Sequence, residues 1–269
     1  MYVECAYHRP GPHGAKGTFR RGIWQPEEKV ADWAERVGPM GLYTTVWRYT
    51  APDPHAPKVA DFYADFDGEW EQVRRNVLDV IRVLYMFYQY PIDQVRLYFS
   101  GAKGIHLQLP AEAIGTNEPR RDWPEKYRYA AERLRFYAPT MDLKVYEGRR
   151  LWRLPGSRHE KTGLYKIPIT YQELKDLSLS QIQELAQSPR SLSYPPIRVA
   201  KLGPAFWAPR KQARRTIRPR RPSLDFLPPC VRHLQDRTTW AGERHNTLVV
   251  LASYCVARGY DLDEAMGYL

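Results

Sequence analysis

An α+β fold is predicted, with strands and helices in succession along most of the chain and a separate helical piece at its end. Three observations carry this. In Asp61-Phe62-Tyr63-Ala64-Asp65-Phe66-Asp67-Gly68 apolar and polar residues alternate, which is the period of a strand. From Glu69 to Tyr88 the apolar residues Trp70, Val73, Val77, Val80, Ile81, Leu84, Phe87 and Tyr88 recur at steps of three and four, the period of a helix packed on a sheet. After about residue 226 the strand-like runs stop and only helical patterning remains.

In chain order, residues 1–22 are rich in Gly, Pro, His and Arg and show no clean period. Pro26-Glu27-Glu28 opens a short helix to about Val37, with proline and acids in its first turn, and Gly38-Pro39 closes it. Leu42 to Tyr49 is β-branched and aromatic and reads as a strand; Pro52 to Pro57 is a loop leading to the acidic strand. After the long helix come strands at Gln94–Phe99 and Ile105–Leu109, joined by Ser100-Gly101-Ala102-Lys103-Gly104. A helix from about Glu125 to Tyr137 precedes strands around Met141–Val145, Leu151–Leu154 and Lys166–Ile169. A helical stretch from Tyr171 to Ala186 gives way to Pro-rich coil. Glu243 to Ala257 is a helix capped by Gly259, and Asp261 opens another that is cut off at Leu269. The expected domains are 1–197, a basic linker 198–225, and a truncated helical domain 226–269.

Composition bounds the function. The 269 residues are 43% hydrophobic and 13% aromatic, enough for a substantial core. No apolar run has membrane-spanning length and Met1-Tyr2-Val3-Glu4-Cys5 lacks the features of a signal peptide, so an intracellular, cytoplasmic protein without membrane partners is expected. Cys5, Cys230 and Cys255 are too few and too scattered for a disulfide framework. Cys5, His8 and His13 lack the second ligand pair of a zinc site, and no zinc is expected. The formal charge of +11 calls for a polyanionic partner, most simply nucleic acid. Nine Lys or Arg residues and no acid lie between Arg198 and Pro222, among them Arg210, Lys211, Arg214 and Arg215. That run is a nucleic-acid contact, a solvated linker, or both.

Three groups of residues could carry chemistry. Asp65 and Asp67 share one face of their strand with Asp61 and Tyr63, where like charges repel unless something positive sits over them. A hard divalent cation answers that need; a solvated acidic edge is the bland alternative. The glycine turn offers backbone N–H groups, Ser100 and Lys103 to an anion, with His106 on the strand that follows. The third group is Asp142 followed by Arg149, Arg153, Ser157, Arg158, His159 and Lys161; Arg153 is expected on the same side of the sheet as the acids, where it could hold a triphosphate. Together these are the parts of a nucleotidyl-transfer site, with two metal ions on the carboxylates and basic groups on the triphosphate.

The ordered set resembles the archaeo-eukaryotic primase superfamily, the primase-polymerases. Asp65-Phe66-Asp67 matches its first motif, Ser100-Gly-Ala-Lys-Gly-Ile-His106 its second and Asp142 its third, and Arg153-Leu-Pro-Gly-Ser-Arg-His159 is similar to the family's continuation. The match spans about residues 20 to 170. The resemblance implies a mixed, mostly antiparallel sheet of the RNA-recognition type flanked by helices, followed by the start of a small helical domain. It implies Asp65, Asp67 and Asp142 as catalytic metal ligands for Mg or Mn. It implies Ser100, Lys103, His106, Arg153, Ser157 and His159 on the incoming nucleotide. The expected activity is a DNA primase or polymerase making or extending primers on single-stranded DNA from nucleoside triphosphates. The absence of a zinc knuckle points to plasmid, viral or defence branches, some of whose members accompany CRISPR systems; a helicase or defence partner is left open. Two other readings stand beside it: a repair-type polymerase that fills gaps without priming, and a non-catalytic nucleic-acid-binding module.

Overall fold

The computed structural model describes residues 1–9, 17–198, 202–209, 251, 254 and 255. Two compact units divide the chain, Met1–Arg210 and Lys211–Leu269. In the second, Leu251, Tyr254 and Cys255 are helical, and Leu251 and Cys255 are buried.

The first unit is α+β, with two antiparallel sheets and flanking helices, the class the sequence predicts. Its larger sheet runs β5 (Lys58–Val59), β4 (Arg48–Tyr49), β1 (Tyr2–Arg9), β3 (Leu42–Thr45), β9 (Leu151–Arg153), with β2 (Thr18–Pro26) also on β1. Its smaller sheet runs β10 (Ile167–Ile169), β7 (Arg96–Phe99), β8 (Ile105–Leu109), β6 (Phe62–Phe66).

The hairpin β1–β2 falls where no period is visible in the sequence. The reason is Glu4, which is fully buried and therefore breaks the apolar alternation. Arg21 and Arg149 each donate two hydrogen bonds to its carboxylate, and Gly22 N donates a fifth. Those cations hold the Glu4 carboxyl below its usual range although burial works against them. Arg21 is thus an internal clamp. The expected strand Leu42–Tyr49 is split into β3 and β4, with Val46-Trp47 between them turning Trp47 into the core.

Helix α2 (Trp70–Tyr88) starts on Glu69, whose side chain accepts from Glu71 N, and ends at Gln89 in the left-handed region. Its buried face of Val73, Val77, Val80, Ile81 and Leu84 packs on β6 and β8. This leaves the opposite face of the small sheet, which carries Asp65 and His106, to the larger sheet. There the Tyr63 and Trp152 rings meet edge to face at 5.1 Å. Helix α1 (Val30–Val37) begins after a 3-10 turn at Glu27–Lys29 and stops at Gly38, as expected. Helices α3 (Ala111–Ile114) and α4 (Trp123–Arg135) follow β8.

Two further corrections follow. Met141–Val145 is not a strand: Met141 makes a single bridge to Phe66, and Leu143–Val145 is a 3-10 turn capped by the Asp142 side chain. The stretch from Tyr171 is two helices, α5 (Tyr171–Asp176) and α6 (Leu179–Leu185), because Thr170 and Ser178 each close a capping box of their own. Helix α7 (Pro204–Trp207) seats Phe206 and Trp207 against the core near α4.

Candidate active site

The acids come together through strand register. Asp65 lies opposite His106 across β6–β8, and His106 opposite Tyr98 across β8–β7. On the free side of β6, Asp142 N donates to Asp65 O at 2.9 Å and Asp67 N donates to Thr140 O at 3.3 Å. Residues 140–142 therefore run antiparallel to 65–67, with Asp65 and Asp142 directly opposed and on the same face. A row Tyr98–His106–Asp65–Asp142 crosses the sheet. Asp67, two residues along, shares the face and is exposed. Asp61 takes no part in this row: its carboxylate pairs with Arg48 and Arg96 and accepts from Ala111 N.

Burial, joined by the neighbouring Asp142 and Asp67 carboxylates and partly offset by Arg150 and Lys166, pushes the Asp65 carboxyl up to about 6. Asp65 Oδ1 is 3.5 Å from His106 Nε2. The two do not form an ion pair, because burial and the charges of Lys166, Arg153 and Arg150 hold the imidazole well below its usual range and keep it neutral. The ring is stacked on Trp152 with centroids 4.1 Å apart, and its Nδ1 is sealed from solvent with no hydrogen-bond partner among the described residues.

The donor set suits a hard divalent cation: three carboxylates, oxygen only, one of them raised by burial and by the other two. The cage is not closed. Asp67 Oδ1 accepts from Gly68 N and Asp142 Oδ1 from Lys144 N, and among the described residues no group of three His, Cys, Asp or Glu converges to metal-binding distance.

The glycine turn and the His159 loop are fastened to each other beside this row. Ser100 and Gly104 close the turn, with Ser100 N donating to Gly104 O and Gly104 N donating to Ser100 Oγ, which leaves the serine proton free to point outward. Gly104 presses so close to Phe66 O that a Cβ there would lie 3.0 Å from it. Gly101 has φ +93°, and a Cβ there would meet Leu164 O at 3.0 Å and the His159 Cβ at 3.1 Å. Thr162 Oγ1 donates to Gly101 O. Lys103 is exposed on the turn, and His159 accepts from Lys161 N through Nδ1. Burial, with Arg153 and Lys161, lowers the His159 imidazole against the opposing pull of Glu160.

Two expected nucleotide contacts sit differently. Arg153 is opposite Tyr43 in the β3–β9 pairing, whereas its neighbour Trp152 takes the face that meets His106. With a period of two, Arg153 must point the other way. Its guanidinium lies 4.9 Å from the centre of the Tyr43 ring and donates to Glu160 at 2.6 Å and to Arg158 O. That arginine and the Tyr43 hydroxyl hold the Glu160 carboxyl down at about 2 despite its burial. Ser157 is buried, its hydroxyl spent on the carbonyls of Leu154 and Leu42. Arg210, Lys211, Arg214 and Arg215 lie outside the described residues.

Sequence reasoning missed Lys166, Trp152 and Arg150. Lys166 is buried between the rings of Trp152 and Tyr98, at 5.0 and 5.2 Å, and donates to Arg153 O at 2.8 Å. Burial brings its amine down to about 7, with Asp65 pulling the other way. It was legible only as the polar residue of a closing strand.

Three solved structures share features of this fold. They are the polymerase domain of Mycobacterium tuberculosis ligase D in complex with DNA, the primase-polymerase domain of cyanophage S-2L, and primase RepB'. The ligase D domain is 16% identical with a TM-score of 0.48, covering 68% of this chain and 80% of its own. For the cyanophage domain the figures are 16%, 0.38, 69% and 88%, and for the RepB' primase 14%, 0.34, 61% and 48%. No protein-family model and no curated protein matches the chain.

Proposed function

We propose that this chain is a template-directed nucleotidyltransferase, a primase-polymerase that makes or extends primers on single-stranded DNA. The observation that carries the reading is the cross-sheet row His106–Asp65–Asp142, with Asp67 on the same face and the glycine turn and His159 loop beside it. Asp65, Asp67 and Asp142 would hold Mg or Mn, which when bound supply charge to activate a 3′-hydroxyl and neutralise departing pyrophosphate. The chain's own groups do the rest. The turn's N–H groups, the Ser100 hydroxyl and Lys103 offer donors to phosphate oxygens. His106, held neutral and oriented by Trp152, can donate without adding charge. His159, on the loop tied to the turn through Thr162, would offer a further donor. No side-chain nucleophile is required.

The test is incubation of the full chain with single-stranded DNA, labelled nucleoside triphosphates and Mg or Mn, with and without primer, beside the Asp65→Ala/Asp67→Ala variant. Acid-dependent product without primer is expected of a primase. Product only with primer narrows the activity to extension. DNA binding with no product under either condition overturns the reading in favour of a binding module.

A further inference from the structure

The apolar stripe of α2 runs one turn further than its burial. By the period of three and four it continues from Leu84 to Phe87 and Tyr88, yet the buried face ends at Leu84. Tyr88 is half-buried against Phe206, with ring centroids 4.8 Å apart, while Phe87 is 67% exposed and Met86 beside it is exposed as well. The end of α4 does the same: Leu134 is buried, and Phe136 and Tyr137 after it are exposed.

The two helix ends share one groove of about 450 Å³, with Val83 and Phe87 on one wall and Leu134, Phe136 and Tyr137 on the other. The Phe136 and Tyr137 rings meet edge to face at 5.1 Å. Four of the nine large apolar side chains exposed among the described residues are gathered here, which is a patch and not a scatter. At about 200 Å² for each such side chain, their exposed parts come to roughly 500 Å². A standard interface buries about 800 Å² per partner, so the patch with its rim has the size for one. Phe, Tyr and Met are also the side chains enriched at interface centres.

The rim says what kind of partner fits. Arg82, one turn before Met86, is paired with Asp79, and Glu132, one turn before Phe136, is paired with Arg128. Arg133, in the groove wall, donates to Ala208 O. A polyanion would meet two rim acids. A second copy turned about a twofold axis meets acid and base in equal number, which is the self-complementary case.

We propose that this face, the exposed ends of α2 and α4, joins two copies of the chain in a twofold dimer. Helix α2 covers the face of the small sheet opposite Asp65 and His106, so pairing there leaves the acid row open.

The test is sedimentation velocity of the full chain, nuclease-treated and in about 0.5 M salt to suppress bridging by nucleic acid. Up to about 100 μM, wild type is expected to approach twice the 31.5 kDa of one chain, with a Kd of about 10 μM or tighter. Its thermal midpoint should rise with concentration. Phe87→Glu/Phe136→Glu sets carboxylates against the apolar face and should weaken association at least about a hundredfold. It should leave a folded single chain whose midpoint does not depend on concentration. If that variant does not fold, Met86→Lys carries the comparison and should weaken association about tenfold. A wild type that stays a single chain over this range overturns the inference, as does a dimer that both variants preserve. Open-ended association overturns the twofold arrangement. Variants that lose affinity for oligo-dT at unchanged mass give the face to single-stranded nucleic acid and overturn it too.

Discussion

Lys166 shows what a single buried charge does to this protein. Its amine sits between two aromatic rings and donates to the Arg153 carbonyl, and burial brings its pKa down to about 7. An unfolded lysine titrates near ~10.4. Between those values the unfolded chain binds a proton that the folded chain has released, so this group makes stability rise with pH from about 7 upward. Below about 7 both states are protonated and the full cost of the buried ammonium is present. Lys166→Met should remove that rise and leave stability at pH 7 within about 2 kcal/mol of wild type, since replacing a buried ion by an apolar side chain is often neutral. Denaturant unfolding of both proteins at pH 6, 7.5 and 9 checks it; parallel curves would show that Lys166 keeps an ordinary pKa.

Among the elements, the glycine turn and the His159 loop form the joint on which the site depends. Gly101 contributes twice, through a left-handed backbone and through a close contact that a Cβ would crowd. Gly101→Ala should cost about 1–3 kcal/mol, because strain and crowding add. It should also push the His159 loop away from the turn. Nucleotide affinity should then fall while affinity for single-stranded DNA holds, which titration with a non-hydrolysable triphosphate and with oligo-dT would separate. Gly156, also at positive φ but with open space around its Cβ position, is the matched control for strain without crowding.

At the scale of the whole molecule, charge bears on the proposed nucleic-acid partner. The net +11 is concentrated in the segment after Arg198, beyond the sheets that carry the acids. Replacing Arg214, Arg215, Arg220 and Arg221 with Ser removes four charges. If all four meet phosphates, the slope of log affinity against log salt for single-stranded DNA should become shallower by about 3, at roughly 0.7 per phosphate contact. An unchanged slope would reduce the segment to a solvated linker.

Local pattern by itself determined the α+β class, α2, β8 and the pairing of Asp65 with Asp67, because each is written in a run of adjacent residues. Period two and period three-to-four report which face is apolar, and a strand such as Ile105–Leu109 appears with the bounds its pattern predicts. Tertiary structure alone decided the rest. The β1–β2 hairpin stayed hidden because Glu4 is neutralised by Arg149, 145 residues away, and no local rule expects a buried acid. Arg153 was assigned to the acid face because a lone three-residue strand does not say which of its sides is which; the stacking of Trp152 on His106 settles that. Lys166 owes its character to the gap between two sheets. Burial and distant charges set it, and neither is a property of neighbouring residues in the chain.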